Sequence, residues 1–150
     1  MTLTERIERF IALPTIALVG MSRKGRKFGN IACRELRAKG YRVYPVHPIA
    51  TEIDGVRCYP SFAKLPERVD GALIVVPPHV AIDVVRDAAE AGITRVWLQQ
   101  GAESAEVVAV CDQLKLITVA GECILMFADP RGIHRAHRWI HRLTRRSTAA

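Results

Sequence analysis

Five short apolar runs, at residues 15–20, 41–47, 70–76, 94–98 and 116–120, constrain this chain more than any other feature. The clearest, 16–19 and 72–76, are continuously apolar, as strands covered on both faces are. Segments of helical periodicity lie between the runs. In 3–13, Ile7, Phe10 and Ile11 share a face ahead of Pro14. In 28–39, Phe28, Ile31, Ala32 and Leu36 do so, with Gly40 as the stop. Residues 79–91 place Ala81, Ile82, Val85 and Ala88 inward before Gly92, and 102–113 reads as a further helix. Strands alternating with helices predict a single domain, an α/β open parallel sheet of about five strands with helices on both faces. Pro45 is awkward in a central strand, so the second strand is expected to end early and 46–48 to be loop. Residues 51–59 read as a connecting excursion with a tight turn at Asp54-Gly55, and 61–65 as a short helical turn.

In such sheets ligands lie outside the carboxyl ends of the strands, where the strand order switches. The segments that follow the strands are therefore the candidate site. The first carries Gly20, Ser22, Arg23, Lys24, Gly25, Arg26 and Lys27; the second Val46, His47 and Pro48; the third Val76, Pro77 and Pro78. The fourth loop is Gln99, Gln100 and Gly101, and the fifth Gly121, Glu122 and Cys123. A Gly-rich strand-to-helix junction with four cations suits phosphate groups, because free N–H groups and the helix N-terminus favour an anion.

The first loop departs from the dinucleotide fingerprint G-x-G-x-x-G. Ser22 stands where the second Gly belongs, and the second strand ends on His47 rather than the carboxylate that would receive an NAD ribose. The cations at 23, 24, 26 and 27 fit a ligand with more phosphate than NAD. An NADP-type oxidoreductase is the first alternative, since cations near a ribose receive a 2′-phosphate.

The net charge of +7 is concentrated at one end. Residues 131–150 hold six Arg and no acidic residue, which leaves 16 basic against 15 acidic side chains in the rest of the chain. A helix is expected over about 131–146. Its apolar face is Ile133, Ala136, Ile140 and Leu143, with Trp139 at the margin; His134, His137 and His141 form a stripe, and Arg135, Arg138, Arg142 and Arg145 the far side. The apolar face suits docking on the sheet, a protein partner or a homodimer. No Cys or carboxylate joins the His stripe, so no metal site is assigned. An interaction or nucleic-acid role for this helix is the second alternative, but no aromatic residues interleave with the Arg face for base stacking, so no nucleic-acid site is assigned.

No apolar run approaches a membrane span, and the amino-terminal residues lack a charged-then-apolar signal, so a cytoplasmic protein is expected. Cys33, Cys58, Cys111 and Cys123 include no C-x-x-C pair, which leaves four free thiols and neither a zinc ribbon nor a thioredoxin site. No nucleophile–base constellation is evident, and a binding module is expected rather than an enzyme.

I-A-L-V-G-M-S (16–22), G-Y-R-V-Y-P-V-H-P (40–48), D-G-A-L-I-V-V-P-P (70–78), V-W-L-Q-Q-G (96–101) and G-E-C (121–123) occur in that order. In this series the chain resembles the CoA-binding domain family, the stand-alone relatives of the CoA-binding domain of the succinyl-CoA synthetase alpha subunit. The resemblance implies a Rossmann-like fold and coenzyme A or an acyl-CoA as cofactor. Position by position, it places Gly20, Ser22 and Arg23 at the pyrophosphate, and Val46, His47 and Pro48 beside the adenosine. Val76, Pro77 and Pro78 would flank the ligand, Gln100 and Gly101 would lie near the pantetheine, and Cys123 near the thiol end. The 3′-phosphate would account for the surplus cations at Lys24, Arg26 and Lys27. Family members often carry Asn where this chain has His47. The resemblance brings no enzyme with it: the synthetase needs a phosphorylated His on a further domain and an ATP-grasp partner.

Overall fold

A computed structural model gives the fold, and the structure describes residues 1–128. The helix expected over about 131–146 lies outside the described residues. The order is α1 (Leu3–Ile11), β1 (Thr15–Val19), α2 (Phe28–Ala38), β2 (Arg42–Val46), β3 (Glu52–Ile53), β4 (Val56–Arg57), β5 (Gly71–Ile74), α3 (Pro78–Glu90), β6 (Arg95–Gln99), α4 (Ala105–Gln113) and β7 (Ile117–Glu122). Short 3-10 turns occupy Phe62–Lys64 and Ile124–Met126.

The main sheet has five strands in the order β2-β1-β5-β6-β7, every neighbouring pair parallel. The chain leaves β1 to one side for β2, then crosses back to place β5 on the other side. The switch point of this α/β, Rossmann-like sheet is therefore the gap between the ends of β1 and β5.

The two-residue period of the strands sorts the core into two layers. Ile16, Leu18, Leu73, Trp97 and Val119 face α1 and α2, where they meet Phe10, Ile11, Ala32, Cys33 and Leu36. Ala17, Ala72, Ile74, Val96 and Leu98 face α3 and α4, against Ala81, Val85, Ala88, Val107 and Cys111. Trp97 is fully buried, edge-on to Phe10 with ring centroids 5.4 Å apart. Its indole N–H donates to the Glu122 carbonyl at 3.0 Å, which removes the cost of burying that donor.

Several element boundaries differ from the sequence expectation: β5 stops at Ile74 rather than 76, β6 takes in Gln99 from the expected fourth loop, and four further differences have a local reason. Pro45 sits within β2, in register with Leu18, because β2 is the outermost strand of the main sheet and its free edge takes back only Tyr59. Val46 is accordingly the last strand residue rather than loop. Gly121 and Glu122 belong to β7, which continues past a register shift that pairs Gln99 with Glu122. Helix α4 begins at Ala105 rather than 102, since Ser104 accepts the Val107 N–H as its N-cap. The excursion at 51–59 is a two-stranded hairpin, β3 and β4, turning at Asp54-Gly55 as expected.

Candidate functional site

The switch point is built on close backbone contact that only glycine permits. Gly20 follows β1 at φ 126°, and a Cβ there would lie 2.1 Å from the Val75 carbonyl oxygen. In the first turn of α2, a Cβ on Gly29 would lie 2.3 Å from the Gly20 carbonyl oxygen. Helix α2 can therefore rest directly on the end of β1. Gly29 does the packing work of the fingerprint's last glycine from a position several residues later.

Asn30, buried behind Gly29, fixes the loop. The Ser22 N–H donates to its Oδ1 at 2.9 Å, and its Nδ2 donates to the Ser22 carbonyl at 2.9 Å. The same Nδ2 donates to Asp54 Oδ2 at 2.8 Å, which ties the β3–β4 turn to the loop. The Ser22 hydroxyl accepts the Lys24 N–H at 3.2 Å. Ser22 is thus tied into the loop's own structure, with its backbone N–H already engaged. Sequence reasoning missed Asn30 and Asp54. The only trace of them was Gly29-Asn30 at the helix start and Asp54-Gly55 in a turn.

Beyond Ser22, Arg23, Lys24, Arg26 and Lys27 are exposed, and the loop ends on the N-terminus of α2. That end has Lys27 as N-cap with no side-chain cap, and α3 likewise starts on Pro77 with none. Thr2 and Ser104 cap α1 and α4. Unclaimed N–H groups at a helix start, among four cations, form a region of positive potential.

His47 closes the second side. Its Nδ1 accepts the N–H groups of Ile49 at 3.1 Å and Ala50 at 2.9 Å, so the neutral ring carries its proton on Nε2. Burial, and then the charge of Arg23, hold its pKa below the ordinary value. Val19 and Val46 pair in register at the ends of β1 and β2, so the first and second loops leave the sheet side by side.

The remaining loops close the carboxyl edge. Pro77 and Pro78 turn the chain from β5 into α3, with Pro78 as its first residue, while Val75 N–H still pairs to Val19 at 2.8 Å. Gln99, buried, accepts the Ile124 N–H at 3.1 Å, and exposed Gln100 donates to the Gly121 carbonyl at 3.3 Å. Gly101 takes φ 95° with its N–H on Glu103 at 2.9 Å. These bonds hold the fourth and fifth loops together and set half-buried Cys123 beside them. Cys33, Cys58 and Cys111 are buried in the core. Among the described residues no group of His, Cys, Asp and Glu is placed to hold a metal, and no helix is long and apolar enough to cross a membrane.

Residues 14–129 match the model of the CoA binding domain family. An ADP-forming acetate–CoA ligase of Archaeoglobus fulgidus is 31% identical over 130 residues, covering 80% of this chain but 19% of the ligase. A trans-feruloyl-CoA synthase of an unknown prokaryote is 29% identical over 84% of this chain and 18% of its own. The chain therefore spans about a fifth of these relatives. Among solved structures, a conserved hypothetical protein of Pyrococcus furiosus superposes with TM-score 0.70 at 42% identity, covering 75% of this chain and 97% of that one. A hypothetical protein of Pyrococcus horikoshii gives 0.75 at 32% identity, with 90% and 92% coverage.

Proposed function

The chain belongs to the CoA binding domain family, and we propose that it binds coenzyme A, free or acylated, across the carboxyl edge of its sheet without transforming it. One observation carries this reading. The β1–α2 junction combines a glycine-only contact between strand and helix, an uncapped helix N-terminus and four exposed cations. That is the arrangement that attracts and orients a polyphosphate.

On this reading Gly20, Ser22 and Arg23 border the pyrophosphate, through the loop shape that Asn30 holds. Lys24, Arg26 and Lys27 supply charge for the 3′-phosphate. Val46, His47 and Pro48 bound the adenosine, with His47 Nε2–H as a donor pointing away from its own turn. Val76, Pro77 and Pro78 form the opposite wall, and Gln100, Gly101 and Cys123 lead toward the thiol end. The matched segment is a small part of the ligases and synthases it resembles, so acyl activation would belong to other domains or to a partner. Here the chain's part is to hold the carrier.

A thermal-shift series on the whole chain tests the reading, because a ligand that binds only the folded state raises Tm. Coenzyme A and acetyl-CoA should stabilise, and 3′-dephospho-CoA should stabilise less. Stabilisation by NADPH with none by coenzyme A would replace this reading with the oxidoreductase one.

A further inference from the structure

A groove of about 770 Å³ runs down the flank of α2, between that helix and the β3–β4 turn. Met21, Ile31, Cys33 and Val56 supply apolar lining, and Arg26, Arg34 and Arg37 supply charge. Burial pushes the Cys33 thiol up to about 11, so it is a neutral part of that lining. Ion pairs elsewhere in the described residues join Arg42 to Glu67, Arg68 to Asp70 and Arg86 to Asp83, and none engages these three guanidiniums. The one carboxylate in the groove, Asp54, already accepts from Asn30. Helix rise is about 1.5 Å per residue, so Arg37 lies roughly 13 Å down the axis from Phe28, away from the carboxyl edge. The volume is that of a small-molecule site, and apolar and cationic side chains share its lining.

We propose that this groove is a second ligand site, for a small multiply charged organic anion with an apolar portion, adjoining the carboxyl-edge cleft at Arg26 and centred on Arg34 and Arg37. Guanidiniums without carboxylate partners bind phosphate or carboxylate groups bidentately, and the apolar lining covers the remainder of the ligand. The site would let an anionic effector act on the loop that Asn30 and Asp54 hold, since Gly25, Arg26 and Asn30 line its upper end. It shares Arg26 and the Asn30-held loop with the carboxyl edge, and Arg34 and Arg37 are the cations that belong to the groove alone.

The test uses inorganic tripolyphosphate as probe, at physiological salt, on the whole chain with and without saturating acetyl-CoA. Tripolyphosphate should raise Tm in both conditions. The double variant R34Q/R37Q, altered at exposed positions, should lose at least tenfold in tripolyphosphate affinity and change acetyl-CoA affinity less than twofold. The charge-matched double variant R9Q/K64Q should leave both unchanged. With acetyl-CoA saturating the carboxyl edge, the amide shifts that tripolyphosphate causes in the unaltered protein should centre on residues 31–37 and 54–56, an observation that needs no variant. The proposal is overturned if saturating acetyl-CoA abolishes the effect, or if R34Q/R37Q weakens acetyl-CoA, because the groove is then part of the CoA cleft. It is equally overturned if R9Q/K64Q matches the loss, or if the shifts lie elsewhere.

Discussion

Asn30 grips Ser22 by both of its backbone polar groups, accepting from the N–H and donating to the carbonyl, each at 2.9 Å. Two bonds across eight residues make the phosphate-facing loop a closed, pre-shaped ring rather than a free strand of basic residues. Replacement by Ala strands these groups and releases Asp54. Asn30→Ala is expected to cost about 2 kcal/mol in urea unfolding, within the range for buried polar groups left unpaired. It should also weaken coenzyme A by roughly tenfold through loss of preorganisation. Asn30→Asp should be worse than Ala for stability, since a carboxylate would face Asp54 and the Ser22 carbonyl. Asp54→Asn should be nearly neutral, as it retains an acceptor. Equal stability of the Asn30→Ala and wild-type proteins would remove the clamp from the account.

The contact between the end of β1 and α2 leaves no room for a side chain at Gly29. Ala is ordinarily the better helix residue, yet Gly29→Ala should destabilise by about 1–3 kcal/mol because its Cβ enters filled space against Gly20. Gly40→Ala is the control. Gly40 has φ 99° and open space around it, so it should cost about 1–2 kcal/mol in backbone strain alone. Calorimetric titration with coenzyme A separates them: affinity falls in the Gly29 variant and holds in the Gly40 variant.

His47 makes stability depend on pH. Its folded pKa is below 6.5, so the folded chain binds fewer protons than the unfolded chain in that region. The contribution is complete above pH 6.5 and is lost as pH falls through the lower folded value. Protonation of Nδ1 also ends both bonds to Ile49 and Ala50. An Asn side-chain oxygen reaches the same two N–H groups without titrating. The Tm of wild type should therefore fall relative to His47→Asn between pH 7.5 and pH 5, by scanning calorimetry. A constant difference across that range would contradict the assignment.

Thiol chemistry should separate the cysteines. At pH 8, iodoacetamide followed by mass spectrometry should modify half-buried Cys123 first, with Cys33 and Cys111 last, because burial removes access and raises both of their pKa values. Acetyl-CoA should slow the Cys123 reaction. No protection would place Cys123 away from the thiol end.

Much of this architecture is local and therefore legible in the residues themselves. The runs at 16–19 and 72–76 announce strands covered on both faces, and Ala81, Val85 and Ala88 announce the face that covers one of them. What the sequence hides depends on partners distant in the chain. Pro45 signals an edge strand only once the order β2-β1-β5 is known. The strand character of Gly121 and Glu122 comes from their pairing past Gln99, not from their own propensities. In the site, the cations and Gly20 are visible as residue types in a pattern. The work of Asn30 is not, because its partners Ser22 and Asp54 meet only when the hairpin folds back over the loop.

The central claim is that this carboxyl edge holds coenzyme A. Native mass spectrometry of the whole chain, purified without added ligand and then titrated, tests it most directly. The account predicts a single adduct with the mass of coenzyme A or an acyl-CoA, saturating at one per chain and lost in Arg23→Ala/Lys24→Ala. A chain that takes up NADPH and refuses coenzyme A, or one whose coenzyme A uptake is unaffected by that double variant, would contradict it.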